Sequence, residues 1–326
     1  MPTLDLKLID EAAAFLAPRI RSTPLEESPY LSGLLGTPVF LKLEFLQITG
    51  SFKLRGAMFR LSKLTSDERT AGVVTCSAGN HGWAVAYAAK LLQTPATVYV
   101  PAEVDESKAR GIVSMGATVI RSDFPGYDAT EDFAVAQAKL LNQIFISPYD
   151  DYAVMAANGG TIAKEILKTV PEIRTFVVPV GGGGLAAGLG FFVKESVREY
   201  SLIACQHAES PALQLSLERS QAVTELPPIR TLAGGIEGGI GALTFPVLKD
   251  IVDRVILLSE HEIIEALEWL LVEHRYLIEP SSAVTLAACL TNKLDRVKGP
   301  VAIVLTGRNI AIDSLRFILG RERRYQ

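Results

Sequence analysis

From residue 72 onward, short runs rich in Val and Ile alternate with longer segments whose apolar residues recur every three or four positions, the pattern of a parallel sheet wrapped by helices. The runs predict strands near 72–76, 96–100, 117–121, 144–147, 175–180, 201–206, 254–258 and 301–305. Between them, His81–Leu92, Ser107–Met115, Ala129–Leu141, Ala153–Thr169, Leu185–Tyr200, Glu260–His274 and Ser281–Leu290 have the length and spacing of amphipathic helices. The expected class is α/β. So many strands in one open sheet would be unusual, and two sheets with a cleft between them are the simpler arrangement. Segment 221–246, with Pro227, Pro228, Gly234, Gly235, Gly238, Gly239 and Gly241, carries too many breakers for regular structure and predicts a long loop of the kind that lines sites.

Composition narrows the function classes. A chain of 326 residues with 48% apolar and 21% charged residues can bury a large core. Its net charge of −4, with no dense basic run before the tail Arg321-Glu322-Arg323-Arg324, leaves no electrostatic footprint for nucleic acid. Cys76, Cys205 and Cys289 are far apart in apolar surroundings, which argues against a disulfide framework or zinc site and for a reducing cytoplasm. His81, His207, His261 and His274 show no metal-ligand spacing, so no metal is expected. The N-terminus lacks the basic and apolar blocks of a signal peptide, and no apolar stretch is long enough to span a bilayer.

The chemistry-bearing residues cluster where the predicted strands end. Ser77-Ala78-Gly79-Asn80-His81-Gly82 follows the first run, Gly181-Gly182-Gly183-Gly184-Leu185 follows Phe176–Val180, and Thr306-Gly307-Arg308-Asn309 follows Val301–Leu305. A fourth cluster, Gly50-Ser51-Phe52-Lys53-Leu54-Arg55-Gly56-Ala57, presents one lysine where a helix begins. A lysine that loses its proton on burial is a nucleophile, so Lys53 is a candidate Schiff-base amine, although a lone lysine is more often a solvated charge. Glycines at 181–184 let backbone N–H groups close round an anion at a helix start. The same glycines, with Ala186 and with Glu209 after the next strand, also fit a dinucleotide fingerprint, so an NAD(P)-dependent oxidoreductase is an alternative. That alternative says nothing about residues 50–57 or 77–82.

In this combination and order, from Thr23-Pro24-Leu25 to Asn309, the chain resembles the fold-type II pyridoxal-phosphate enzymes, within them the threonine/serine dehydratase family that includes serine racemase. The resemblance implies two domains, each a largely parallel sheet flanked by helices: a large one from residues 1–52 and 148–326, and a small mobile one from residues 53–147. It implies that Lys53 anchors pyridoxal 5'-phosphate and removes the substrate's Cα proton. Phe52 would pack near the cofactor ring, Asn80 would contact its 3′-oxygen, Gly181, Gly182, Gly183 and Gly184 would seat the phosphate, and Thr306 would face the ring nitrogen. Ser77, Ala78, Gly79, Asn80 and His81 would receive the carboxylate of a small amino-acid substrate. Ser77 or Asn80 could equally serve as an N-cap, which is compatible with that role. Homodimers are expected on the same ground.

Departures from the family pattern sharpen the expectation. Ala78 stands where serine racemases carry the serine that protonates Cα from the second face. Ala233-Gly234-Gly235 replaces an Ala-Asp-Gly segment, and Leu215 replaces the aspartate that would pair with Glu209 in a divalent site, so divalent activation is not expected. Glu279-Pro280-Ser281-Ser282-Ala283 matches a family helix start. Gly238-Gly239-Ile240-Gly241 before Thr244-Phe245-Pro246 is similar to a subgroup associated with hydroxyectoine breakdown. About twenty residues follow the last predicted strand, so the regulatory domain of many biosynthetic threonine dehydratases is not expected in this chain. The expected activity is an ammonia-lyase that dehydrates a threonine- or serine-like β-hydroxy-L-amino acid to a 2-keto acid and ammonia. A β-replacement enzyme, a serine racemase and a non-catalytic pyridoxal-binding protein are the rivals.

Overall fold

Val and Ile runs bounded by turn residues settle as strands because branched side chains pack well on a pleated surface. The computed structural model describes residues 3–104, 106–124 and 126–321, so the basic tail beyond Arg321 lies outside the described residues. Its strands are β1 (Leu25–Glu27), β2 (Val39–Leu43), β3 (Val73–Cys76), β4 (Ala96–Val100), β5 (Thr118–Arg121), β6 (Ile144–Phe145), β7 (Thr175–Pro179), β8 (Ser201–His207), β9 (Arg254–Leu258) and β10 (Val301–Leu305). They form a six-stranded sheet in the order β1-β2-β10-β7-β8-β9 and a four-stranded sheet in the order β5-β4-β3-β6. Every pairing is parallel except β1 with β2.

Parallel sheets are covered on both faces, and the side-chain period of two shows it. Val301, Ile303 and Leu305 of β10 join Val177 of β7 in a core under helices Pro280–Leu290 and Glu260–Glu273. Ala302 and Val304 join Phe176 and Val178 in the opposite core, under helices Gly184–Ser196 and Thr161–Thr169.

Strand order locates the cleft. The chain runs from β7 outward through β8 and β9, then returns to place β10 on the other side of β7. It likewise runs from β3 through β4 to β5 and returns to place β6 beside β3. Open parallel sheets bind ligands at the carboxyl ends of the strands where such a reversal occurs. Both switch points fall where the polar turns lie.

The segment before residue 72 holds more structure than its pattern announces: helices Leu6–Leu16, Pro29–Leu35 and Ser66–Ala71, and strands β1 and β2. The expected continuous helix Ala153–Thr169 is interrupted by a π-turn at Ala156–Gly160, where Asn158 Oδ1 accepts from Gly56 N–H at 2.8 Å. The helix expected to reach Tyr200 ends at Ser196, and strand 144–147 shrinks to Ile144–Phe145. Segment 221–246 is loop apart from a short 3-10 turn at Gly234–Ile236 and the start of helix Thr244–Leu248.

Candidate active site

Gly50 takes φ +77°, a conformation glycine adopts without strain, and turns the chain against the end of β10. Arg308 N–H donates to Gly50 O at 3.0 Å, Phe52 N–H donates to Thr306 O at 3.1 Å, and Ser51 bridges Gly307. Lys53 then opens helix Lys53–Ser62, donating from Nζ to Pro148 O at 2.8 Å and lying 5.1 Å from the Phe52 ring centroid. Burial pushes its pKa down to about 8, against the pull of the Glu279 carboxylate. The amine therefore sheds its proton far more readily than a surface lysine.

Two residues on, Arg55 locks the helix in place. Its Nε and Nη2 donate to Glu44 at 2.8 Å each, Nη1 and Nη2 to Glu165 at 2.6 and 2.9 Å, and Nη1 to Thr161 Oγ1 at 3.1 Å. All five guanidinium donors are thus used. Lys42 completes the cluster, donating to Glu165 at 2.6 Å and to Thr23 O at 2.7 Å. Burial alone would raise the Glu44 carboxyl, but Arg55, Lys42 and Thr23 hold it below the usual range.

At the end of β3, helix Asn80–Leu91 starts without a side-chain cap: Gly79 is the N-cap, and Ser77 Oγ accepts from Gly79 N–H at 3.2 Å instead. Neither Ser77 nor Asn80 caps the helix, so its first-turn N–H groups are left without a side-chain acceptor at the cleft wall. The His81 ring is buried and Nε2 donates to Ile146 O at 3.0 Å. Burial, reinforced by Lys53, pushes its pKa down to about 3, and the ring is neutral. With Nε2–H spent and Nδ1 a lone pair, the ring has no N–H left to offer an anion.

At the end of β7, Gly181–Gly184 leads into helix Gly184–Ser196. Gly183 has φ +92°, and a Cβ on it would stand 2.7 Å from Leu248 Cδ1 and 2.8 Å from Ile240 Cδ1. Gly182 O is pinned by Thr244 Oγ1 at 2.7 Å and Gly241 N–H at 3.0 Å. Asp150 in turn accepts from Leu243 and Thr244 N–H at 2.8 and 3.1 Å. The loop lines the cleft at a second helix N-terminus that no side chain caps, a place where backbone N–H groups suit an anion.

At the end of β10, Thr306 is buried, with its N–H donating to Ser282 Oγ at 2.7 Å. Asn80 Nδ2 donates to both Glu279 oxygens at 2.7 and 2.9 Å, and Asn309 Nδ2 donates to Asn80 Oδ1 at 2.6 Å.

All these turns line one cleft of about 950 Å³. Phe52, Lys53, Ser77, Ala78, Gly79, Asn80, His81, Gly181, Gly182, Gly183, Gly184 and Thr306 are all on its wall. Asn309, from the Thr306–Asn309 turn, lines it as well, and so do Tyr127, Pro148, Tyr149 and Trp83, which carry no motif that marks them. The one available signal for Pro148 and Tyr149 is their place just after β6, at the switch point of the smaller sheet.

Comparison with known proteins decides between the two enzyme classes. Residues 16–307 match the family model described as pyridoxal-phosphate dependent enzyme. The chain belongs to that family. It is 36% identical to L-threonine ammonia-lyase of Geobacter sulfurreducens over 98% of this chain and 79% of that protein. It is 34% identical to serine racemase of Mus musculus over 97% of this chain and 94% of that one. Its structure is similar to that of maize serine racemase, with a TM-score of 0.91, 30% identity and 98% of each chain covered.

As a pyridoxal-phosphate dependent enzyme, the chain has residues that suit the group. Gly183 has a positive φ and no room for a Cβ, so the Gly181–Gly184 loop keeps its bare backbone at the cleft wall, the cleft is roomy, and the amine of Lys53 is easily deprotonated. The dinucleotide alternative accounts for none of the other three turns and falls away.

Proposed function

We propose that this pyridoxal-phosphate enzyme is an ammonia-lyase that dehydrates a threonine- or serine-like β-hydroxy-L-amino acid. The observation that carries the proposal is the convergence of four turns, including two uncapped helix N-termini, on the amine of Lys53. When bound, the cofactor supplies an aldehyde that holds an amine and a ring that accepts the electrons of a broken Cα–H bond.

The chain's own residues do the rest. The N–H groups of Gly181–Gly184 hold the phosphate, and Lys53 both anchors the cofactor and takes the Cα proton on Nζ. The Ser77–His81 turn orients the substrate carboxylate through backbone N–H groups. Phe52 packs at the ring, Asn80 donates to the 3′-oxygen, and Thr306 offers the ring nitrogen a neutral hydroxyl. Such a hydroxyl stabilises a protonated ring nitrogen less than a carboxylate would, so elimination at Cβ competes well with transamination. The water lost from Cβ is regained when the released enamine hydrolyses, leaving a 2-keto acid and ammonia.

Serine racemase is the rival among the relatives, and Ala78 argues against it: its methyl group holds no proton to deliver to the second face of Cα. In this reading residues 53–147 move as the small domain against residues 1–52 and 148–326, and the enzyme works as a cytoplasmic homodimer. Chiral chromatography of a reaction with L-serine tests the proposal. Pyruvate and ammonia with little D-serine are expected, and Ala78→Ser should raise the D-isomer. D-serine formed by the unaltered enzyme as fast as pyruvate would defeat it.

A further inference from the structure

Asn309, Asn80 and Glu279 form a chain of hydrogen bonds whose direction is fixed at both ends. Asn309 Nδ2 donates to Thr49 O at 2.9 Å and to Asn80 Oδ1 at 2.6 Å. Asn80 Nδ2 donates to the Glu279 carboxylate at 2.7 and 2.9 Å. A backbone carbonyl and a carboxylate only accept, so turning over either amide would set oxygen against oxygen. Hydrogen bonds aligned in this way polarise one another. The two oxygens of one carboxylate lie too close in direction to take separate hydrogens of Nδ2, so they share one N–H, and with Oδ1 engaged by Asn309 the group that Asn80 has left to offer the cleft is its second N–H.

The backbone is emptied to admit this chain. A Cβ on Gly50 would lie 2.5 Å from Asn309 Oδ1, and one on Gly307 would run into Glu279 Oε1 and lie 3.1 Å from Asn80 Nδ2. The three residues also join the two sheets, since Asn80 follows β3 of the four-stranded sheet while Asn309 follows β10 of the six-stranded one.

We propose that Asn309 is a positioning residue which, through Asn80, keeps an N–H donor aimed at the 3′-oxygen of the cofactor. The inference rests on the reading that Asn80 meets that oxygen. An acceptor at 309 would invite the Asn80 amide to turn over and bring its oxygen against Glu279, so Asn309→Asp is more than the loss of one bond.

The test compares Asn80→Ala, Asn309→Ala and Asn309→Asp by the absorption spectrum of the bound cofactor and by equilibrium titration of each apoprotein, with apoprotein melting as the control for folding. Both Asn309 variants should shift the spectrum in the same direction as Asn80→Ala and weaken cofactor binding about tenfold, the cost of one hydrogen bond. Asn309→Asp should do so at least as strongly as Asn309→Ala despite its matching size. Should Asn309→Asp not fold, Asn309→Ala decides the matter. Asn309 variants that lower only the melting temperature, with unaltered spectrum and affinity while Asn80→Ala changes both, would overturn the inference and leave the Asn80 reading standing. An unaltered spectrum and affinity in Asn80→Ala would remove that reading, and the role of Asn309 with it.

Discussion

Lys53 and Arg55 leave one helix two residues apart and meet opposite surroundings. Arg55 is completely buried, uses all five donors on two carboxylates and a hydroxyl, and has its pKa raised because Glu44 and Glu165 outweigh the effect of burial. Lys53 has one hydrogen-bonding carbonyl, a more distant carboxylate, and a pKa pushed down to about 8. Burial acts on both cations in the same sense, and what decides the outcome is how much negative charge each is given. One cation is kept charged and holds the helix, and the other loses its proton readily, as the proposed chemistry of Lys53 requires.

Removing the reactive partner should have the largest effect. Lys53→Ala is expected to lower turnover by about 10²–10⁴-fold or more while the protein still folds and still binds cofactor through Gly181–Gly184. Near-normal turnover in a keto-acid assay would break the contrast at once.

Arg55→Met strikes the other side. It leaves Glu44 buried without its main counter-charge and should cost about 3–5 kcal/mol in a denaturant titration. Arg55→Lys should not restore stability, because an ammonium has three donors and cannot fork two carboxylates. Because the Glu44 carboxyl is held low, its contribution is present above the ordinary carboxylate range and is lost as pH falls through its folded pKa. The gap between wild type and Arg55→Met should therefore narrow in acid, and a gap that widened would contradict the pairing.

These two residues also mark what the sequence made legible. The motif around Lys53 announces itself, as do the glycine loop and the strands at 73–76, 96–100 and 301–305, because the signals are local. The Arg55 cluster is not local: Glu165 lies 110 residues away and Asn309 lies 229 residues from Asn80. Strand β2 was obscured because it contains Lys42, which reads as polar until Glu165 is seen beside it. Strand β1 is three residues long with two of them acidic, on the antiparallel edge. The π-turn at Ala156–Gly160 had a local hint in Asn158-Gly159-Gly160, residues that weaken a helix, but its form depends on the tertiary contact between Asn158 and Gly56.

Gly183→Val sharpens the comparison by leaving both cations untouched. The strained backbone and the clash with Leu248 and Ile240 should weaken cofactor binding by at least about tenfold, read by titration of the apoprotein. Undiminished affinity in a folded variant would move the phosphate elsewhere.

The smallest effect concerns pH. The rate at which the apoprotein takes up the cofactor aldehyde should rise with a midpoint near pH 8 rather than near the 10.5 of an ordinary lysine. Glu279 favours the charged amine, so Glu279→Gln should move the midpoint down. A midpoint that rose or stayed fixed would remove Glu279 from the electrostatics of Lys53.

The division of labour between the two cations is tested most directly by borohydride reduction of the holoenzyme followed by peptide mass mapping. The cofactor should be found covalently attached to the peptide containing Lys53 and to no other. Attachment at Lys42, which is buried beside Arg55, or no attachment at all, would contradict it.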